Sequence, residues 1–253
     1  MGRTSLRPWF MGNKMQFEAV ACRLFLHYSY TLAQKASNYG IFCFYYNQLE
    51  ADFFSLESFC AIDEVNDNAF STKYLQLVLS ICGEIDTICK RMCNCLDPNM
   101  DMNTCGINEY KSILMEHYPQ IAAERVRIEK HIYREVQPWK SWAHKRTPQW
   151  WSIYNKVKHH RDDLWNNKEA YKYANQKTTI DALCALYIVL EYWAAYNFVL
   201  KNEYKNSRNM LQVKSKNLKI TGWIPFYEYF MGNDFFASEK CRAYLNVKQV
   251  VEV

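Results

Sequence analysis

Glycine and proline are scarce in this chain, at seven and six of 253 residues. A turn-rich sandwich or barrel draws heavily on both, so their shortage points to long helices joined by few turns. No glycine-rich phosphate loop, HExxH, GxSxG or paired CxxC pattern occurs. The P-loop, kinase, zincin and α/β-hydrolase readings fall away with them. Neither sign of charge dominates: 31 Lys and Arg against 26 Asp and Glu leave a net charge of +5, which permits a polyanionic partner without demanding one. The first residues lack the cationic, apolar and small-residue succession of a secretory signal, so the ten cysteines are expected as free thiols in a reducing, cytoplasmic setting. Long apolar runs are also rare. Residues 182–200 approach the length of a membrane span, but Glu191 sits at their centre and Asn197 near their end. A central acidic residue opposes insertion by roughly 2.5–3.5 kcal/mol. The run is therefore expected to be a buried core helix, with no membrane partner.

What the chain does have is apolar mass, 49% of its residues, including 19 Tyr, 14 Phe and 8 Trp. That is enough for a sizeable core. Apolar residues recur every three or four positions in residues 48–62 and again from Leu75 to Cys93, where Ser71 is placed to cap the start and Asp97-Pro98 to stop the end. Residues 16–35 and 107–117 read as further helices. Thr147-Pro148 opens a tryptophan-rich helix expected to run to about Trp165, and Thr178-x-x-Asp181 reads as the capping box of a long apolar helix. Residues 121–142 alternate Val126 and Ile128 with charges and fit a β-ribbon as well as further helix. The fold class is all-α, a helical bundle with a short β-ribbon in 121–142 as the exception. The expected organisation is an N-terminal extension over 1–46, a bundle over 47–205, and an aromatic tail over 206–253 that packs on the bundle.

The chemistry concentrates between Trp150 and Asp163. Lys140, His144, Lys145, Arg146, Lys156, Lys158, His159, His160 and Arg161 fall within 22 residues. On a helix wheel, Trp150, Ile153, Val157 and Leu164 share one side, and Trp151, Asn155, Lys158, His159 and Asp162 share the other. Trp150 is thus expected in the core and Trp151 as the wall of a polar cleft; His160 points toward the apolar flank.

The segment Tyr154-Asn155-Lys156-Val157-Lys158-His159 resembles the motif of the HEPN superfamily (higher eukaryotes and prokaryotes nucleotide-binding), whose ribonuclease members carry Arg, a polar residue, three variable positions and His. Asn155 and His159 match; Tyr154 stands where the family has the Arg that serves the phosphate. The wider pattern WWxxYNxxKHxR also resembles a group of uncharacterised bacterial proteins over roughly 47–200. The resemblance implies a HEPN-like bundle, a homodimer with two motif helices facing a common cleft, and an RNA-directed role in bacterial defence or stress, with an operon-encoded protein as a further partner. It also implies cleavage without a metal or other cofactor, to a cyclic phosphate. In that reading His159 exchanges the proton, Asn155 orients it or the phosphate, and Lys158 or Arg161 supplies the missing cation, with Tyr154 and Trp151 lining the site. A non-catalytic nucleotide- or protein-binding module is the alternative, and a polar cluster in which Asn155, His159 and Asp162 bond one another is the structural one.

Three other groupings carry weaker chemistry. Cys89, Cys93, Cys95 and Cys105 could supply four thiolates to zinc, but lie mostly on an apolar helix face where buried thiols are common. Asp86 and Lys90 have the spacing of an intrahelical ion pair, with Glu84 or Asp86 available to meet the basic face. Arg125-x5-His131 repeats the loose Arg-to-His spacing.

Overall fold

The computed structural model describes residues 39–101, 103–129, 131–201 and 215–221. The expected helix 16–35 and nearly all of the tail 206–253 lie outside them. The described helices are α1 (Tyr39–Ser55), α2 (Thr72–Leu96), α3 (Ile107–His117), the single turn α4 (Lys140–Ala143), α5 (Gln149–His159) and α6 (Gln176–Lys201). Five short strands join them: β1 (Arg125–Ile128), β2 (His131–Val136), β3 (Leu164–Trp165), β4 (Lys168–Glu169) and β5 (Leu218–Thr221).

Over residues 178–193, α6 has no polar side. From Thr178 to Trp193 every residue but Asp181 is buried, so the helix must be enclosed all round. Its most extensive partner is α2, and α1 and α5 cover other flanks. α2 suits that position because its apolar residues form one stripe: Leu77, Val78, Ile81, Cys82, Ile85, Ile88, Cys89 and Met92 are all buried. Its start is fixed by the Ser71 hydroxyl, which accepts from the Tyr74 N–H at 3.1 Å, and its end is at Asp97. The run 182–200 is thus part of the central helix, and no helix among the described residues is long and apolar enough to cross a membrane.

The cap of α6 lies three residues before the expected one. The Asn175 side-chain oxygen accepts from the Thr178 N–H at 3.0 Å, whereas Thr178 turns its hydroxyl to the Tyr173 carbonyl and Asp181 is taken by Lys177. Asn is as good a cap as Thr, and Gln176 and Lys177 then extend the helix backward. α1 likewise begins earlier than its periodicity suggests and runs across position 46 without a break.

The fold is mostly helical with small antiparallel sheets. The β-ribbon that the alternation at 121–142 allows is present as the hairpin β1–β2, and β5, which the sequence does not signal, pairs with the other edge of β1 to give the order β2-β1-β5. Val126 and Ile128 point inward and are fully buried. Because Arg125 and His131 lie on two different strands, their spacing cannot form a helical Arg-to-His pair; Arg125 instead reaches Glu135 at 3.6 Å. Two buried charges tie this sheet to the bundle. Glu50, from α1, accepts with one carboxylate oxygen from the Ser215 hydroxyl, the backbone N–H groups of Lys216 and Asn217, and the Asn217 amide. Arg134, from β2, donates to the carboxylate of Asp67 in the loop before α2.

Glu191 lies within α6, and burial pushes its carboxyl up to about 8 against an opposing hydrogen bond from Tyr187. A carboxyl that holds its proton more tightly when folded than unfolded makes the protein less stable as pH rises between the two values. Stability should therefore fall from about pH 4.5, the unfolded value, to about pH 8, and level off above. Urea titrations across that range check it: Glu191→Gln should remove this component of the slope, and an unchanged slope would contradict the assignment.

Candidate functional site

α5 is an anchor with a charged end. Trp150 packs edge-on against Trp139 at 5.0 Å and its indole N–H donates to the Pro138 carbonyl at 3.0 Å; Trp139 in turn donates to the Ala185 carbonyl of α6. Trp151 lies 5.8 Å from Trp150, 5.1 Å from Tyr154 and 6.4 Å from Tyr110 of α3. Trp151 is only 4% exposed and Tyr154 6%. This corrects the expected division between the tryptophans. Both are core residues, as is Tyr154, because α3 and α2 cover the side of α5 that the helix wheel leaves to solvent.

The helix stops at His159 and does not continue to Trp165. His160 leaves helical geometry at φ −143°, ψ 46°, and a turn over 160–163 leads into the β3–β4 hairpin. Its tip is Asn166-Asn167, both in the left-handed region at φ 49° and 60°, which a two-residue hairpin turn of this hand requires and Asn tolerates. Arg161 and Asp162 therefore sit on the turn, off the helical face.

Asn155, Lys158, His159, His160 and Arg161 are all exposed. Lys158 lays its ammonium 5.4 Å from the centre of the Tyr154 ring, and the imidazoles of His159 and His160 are 6.4 Å apart. Asp163 is held by Lys156 at 3.2 Å and by His160 at 3.1 Å. Among the described residues no hydrogen bond joins Asn155, His159 and Asp162, so the expected polar cluster does not form. Lys156, Lys158 and His159 occupy the last turn of α5, where the carbonyl ends carry partial negative charge and favour cations by roughly 0.3–1 kcal/mol each.

The other half of the basic run lies elsewhere. His144, Lys145 and Arg146 precede the start of α5, whereas Lys158 lies in the last turn of this 11-residue helix, which is about 16 Å long. Lys145 is itself left-handed at φ 57°, and its carbonyl accepts from Lys111 of α3 at 3.2 Å. One stretch of sequence thus makes two basic surfaces.

Asp86 does pair with Lys90, at 2.9 Å, and it also accepts from the Tyr110 hydroxyl at 2.7 Å. Burial first, and then that bond, raise the Tyr110 phenol well above its ordinary value. Tyr110 reaches from Asp86 to the Trp151 ring. No sequence signal marks it for that role, which depends on the packing of α3 against α2. Cys89, Cys93, Cys95 and Cys105 are buried, and burial raises the thiols of Cys89 and Cys93. Seven of the eight described cysteines are buried, and among the described residues no three His, Cys, Asp or Glu are grouped to hold a metal ion.

No protein-family model matches the chain, and neither a curated protein nor a solved structure shows significant similarity to it.

Trp150→Ala and Trp151→Ala should each lower stability by about 3–5 kcal/mol, as large core truncations do. Tyr154→Arg should destabilise as well, because it brings a guanidinium into an aromatic contact that excludes water. Chemical denaturation of the three variants checks this; a Trp151→Ala protein as stable as wild type would show that residue to be a cleft wall after all.

Proposed function

We propose that this chain is an RNA-directed protein of HEPN-like type, acting in bacterial defence or stress, and that it engages RNA through the turn at the C-terminal end of α5. The observation that carries the reading is the separation of tasks within one short helix. Trp150, Trp151 and Tyr154 fix it in the core, while Lys158, His159 and Arg161 stand exposed at its end. Cations presented from a rigid support meet phosphates without first being ordered.

Cleavage is a second reading, favoured by the exposure of His159 between the two cations Lys158 and Arg161. The 2′-oxygen would attack phosphorus and the 5′-oxygen would leave, giving a 2′,3′-cyclic phosphate and a 5′-hydroxyl. His159 would accept the 2′ proton and return one to the leaving oxygen, with Asn155 as the orienting group. Tyr154, buried, leaves the role of the family's Arg to Lys158 or Arg161. A homodimer would bring a second α5 end to the same cleft.

Lys158→Ala and Arg161→Ala should weaken binding of a labelled RNA hairpin and reduce the slope of log affinity against log salt by about 0.7–0.9 for each phosphate no longer neutralised. Incubation with RNA in EDTA should yield cyclic-phosphate products that His159→Ala does not make, a drop of about 10²- to 10⁴-fold in rate. Full binding by both cation variants would place the interface elsewhere. RNA binding without cleavage would leave the non-catalytic module.

A further inference from the structure

Beyond the turn, the chain lays an aromatic surface set with lysines. Phe70, at the end of the loop before α2, is 46% exposed although it is a large apolar ring. It is held in place by a backbone bridge to Asn175 and lies edge-on to Tyr171 at 5.9 Å. Two ammonium groups flank it. Lys168 is 5.8 Å from its centre and 5.1 Å from that of Tyr173, and Lys172 is 5.7 Å from it and 5.8 Å from Tyr171. Lys172 also pairs with Glu169 at 2.8 Å, so Lys168 is the freer cation. Tyr173 stacks at a tilt on Trp165, 5.0 Å away, and donates its hydroxyl to the Trp165 carbonyl.

This surface is continuous with the basic turn. The Tyr171 N–H donates to the Arg161 carbonyl at 3.0 Å and the Ala170 N–H to the Asp163 carbonyl at 2.9 Å, so the rings and the cations are joined by backbone. Residues 156–172 carry five Lys or Arg against three Asp or Glu. An exposed ring bordered by ammonium groups offers a stacking face to any base and a counter-charge to the phosphate beside it. In a duplex the bases are already stacked on one another and cannot take up that offer.

We propose that Phe70, with Tyr171 and Lys168, forms a stacking site for the unpaired bases of single-stranded RNA, and that the strand passes from this platform to Lys158 and Arg161. The site lies outside the motif helix and rests on the RNA-directed reading above. It makes the protein selective for unpaired strands without base-specific hydrogen bonds.

The test is the affinity of the full chain for a fluorescent oligouridine of about 12 nucleotides, within the length one such surface spans, and for a blunt RNA duplex of equal length. Wild type should bind the single strand at least about tenfold more tightly. Phe70→Leu keeps an apolar contact but removes the stacking face, and should weaken single-strand binding by about 5- to 150-fold while leaving the duplex unaffected. Phe70→Trp should restore it. Equal binding of both forms, or a Phe70→Leu protein that retains full preference for the single strand, overturns the platform and leaves RNA binding at the turn intact. If wild type binds neither RNA, the RNA-directed reading falls and the platform with it.

Discussion

A helix with no polar side imposes its needs on everything around it. α6 is buried from Thr178 to Trp193 apart from Asp181, and such a segment is kept from water only by a jacket of other elements. α2 provides the broadest cover through a continuous apolar stripe, α1 provides another flank, and α5 is held against α6 with the help of Trp139 and Trp150. The sheet adds Val126, Ile128, Leu218 and Ile220 to the same core and is also tied to it by two buried polar groups: Glu50 gathers the donors that lead into β5, and Arg134 reaches Asp67. Stability in this protein therefore comes from burying apolar surface around one axis. Its buried charges serve to position elements that contribute less to that burial.

The same enclosure explains why one end of α5 is a better surface than the other. Its aromatic residues meet α3 and the Trp139 turn, while Asn155, Lys158 and His159 emerge toward its C-terminal end. The Asn166-Asn167 hairpin then folds the chain back, so that residues far from the motif helix become neighbours of its charged end. Lys158 remains in touch with the core through Tyr154, and Arg161 through its backbone bond to Tyr171.

Periodicity reveals the elements that obey it. α2 is legible from end to end because Ser71, Asp97-Pro98 and the three-and-four spacing leave little choice. The hairpin at 125–136 is legible only as one of two options, since four or six alternating residues fit both a strand and a poor helix. α5 can be located from its sequence but not measured. Pattern extrapolation carries a helix past His159, whereas two left-handed asparagines a few residues on commit the chain to a turn. A helix wheel also assumes a single buried side, and α5 is covered on two, so the wheel leaves Trp151 to solvent although it is core. Phe70 cannot be linked to Tyr171 from sequence, because about a hundred residues of chain separate them and a bridge to Asn175 brings them together.

Glu191 gives folding a proton inventory. At neutral pH the native carboxyl keeps its proton, since its value is about 8, while the unfolded chain, with a value near 4.5, does not. Each molecule that unfolds must then hand close to one proton to the buffer, beyond whatever other groups exchange. The heat of unfolding measured by calorimetry consequently includes the ionisation heat of that buffer. The same protein will show different enthalpies in phosphate and in Tris at one temperature, although no contact within it has changed.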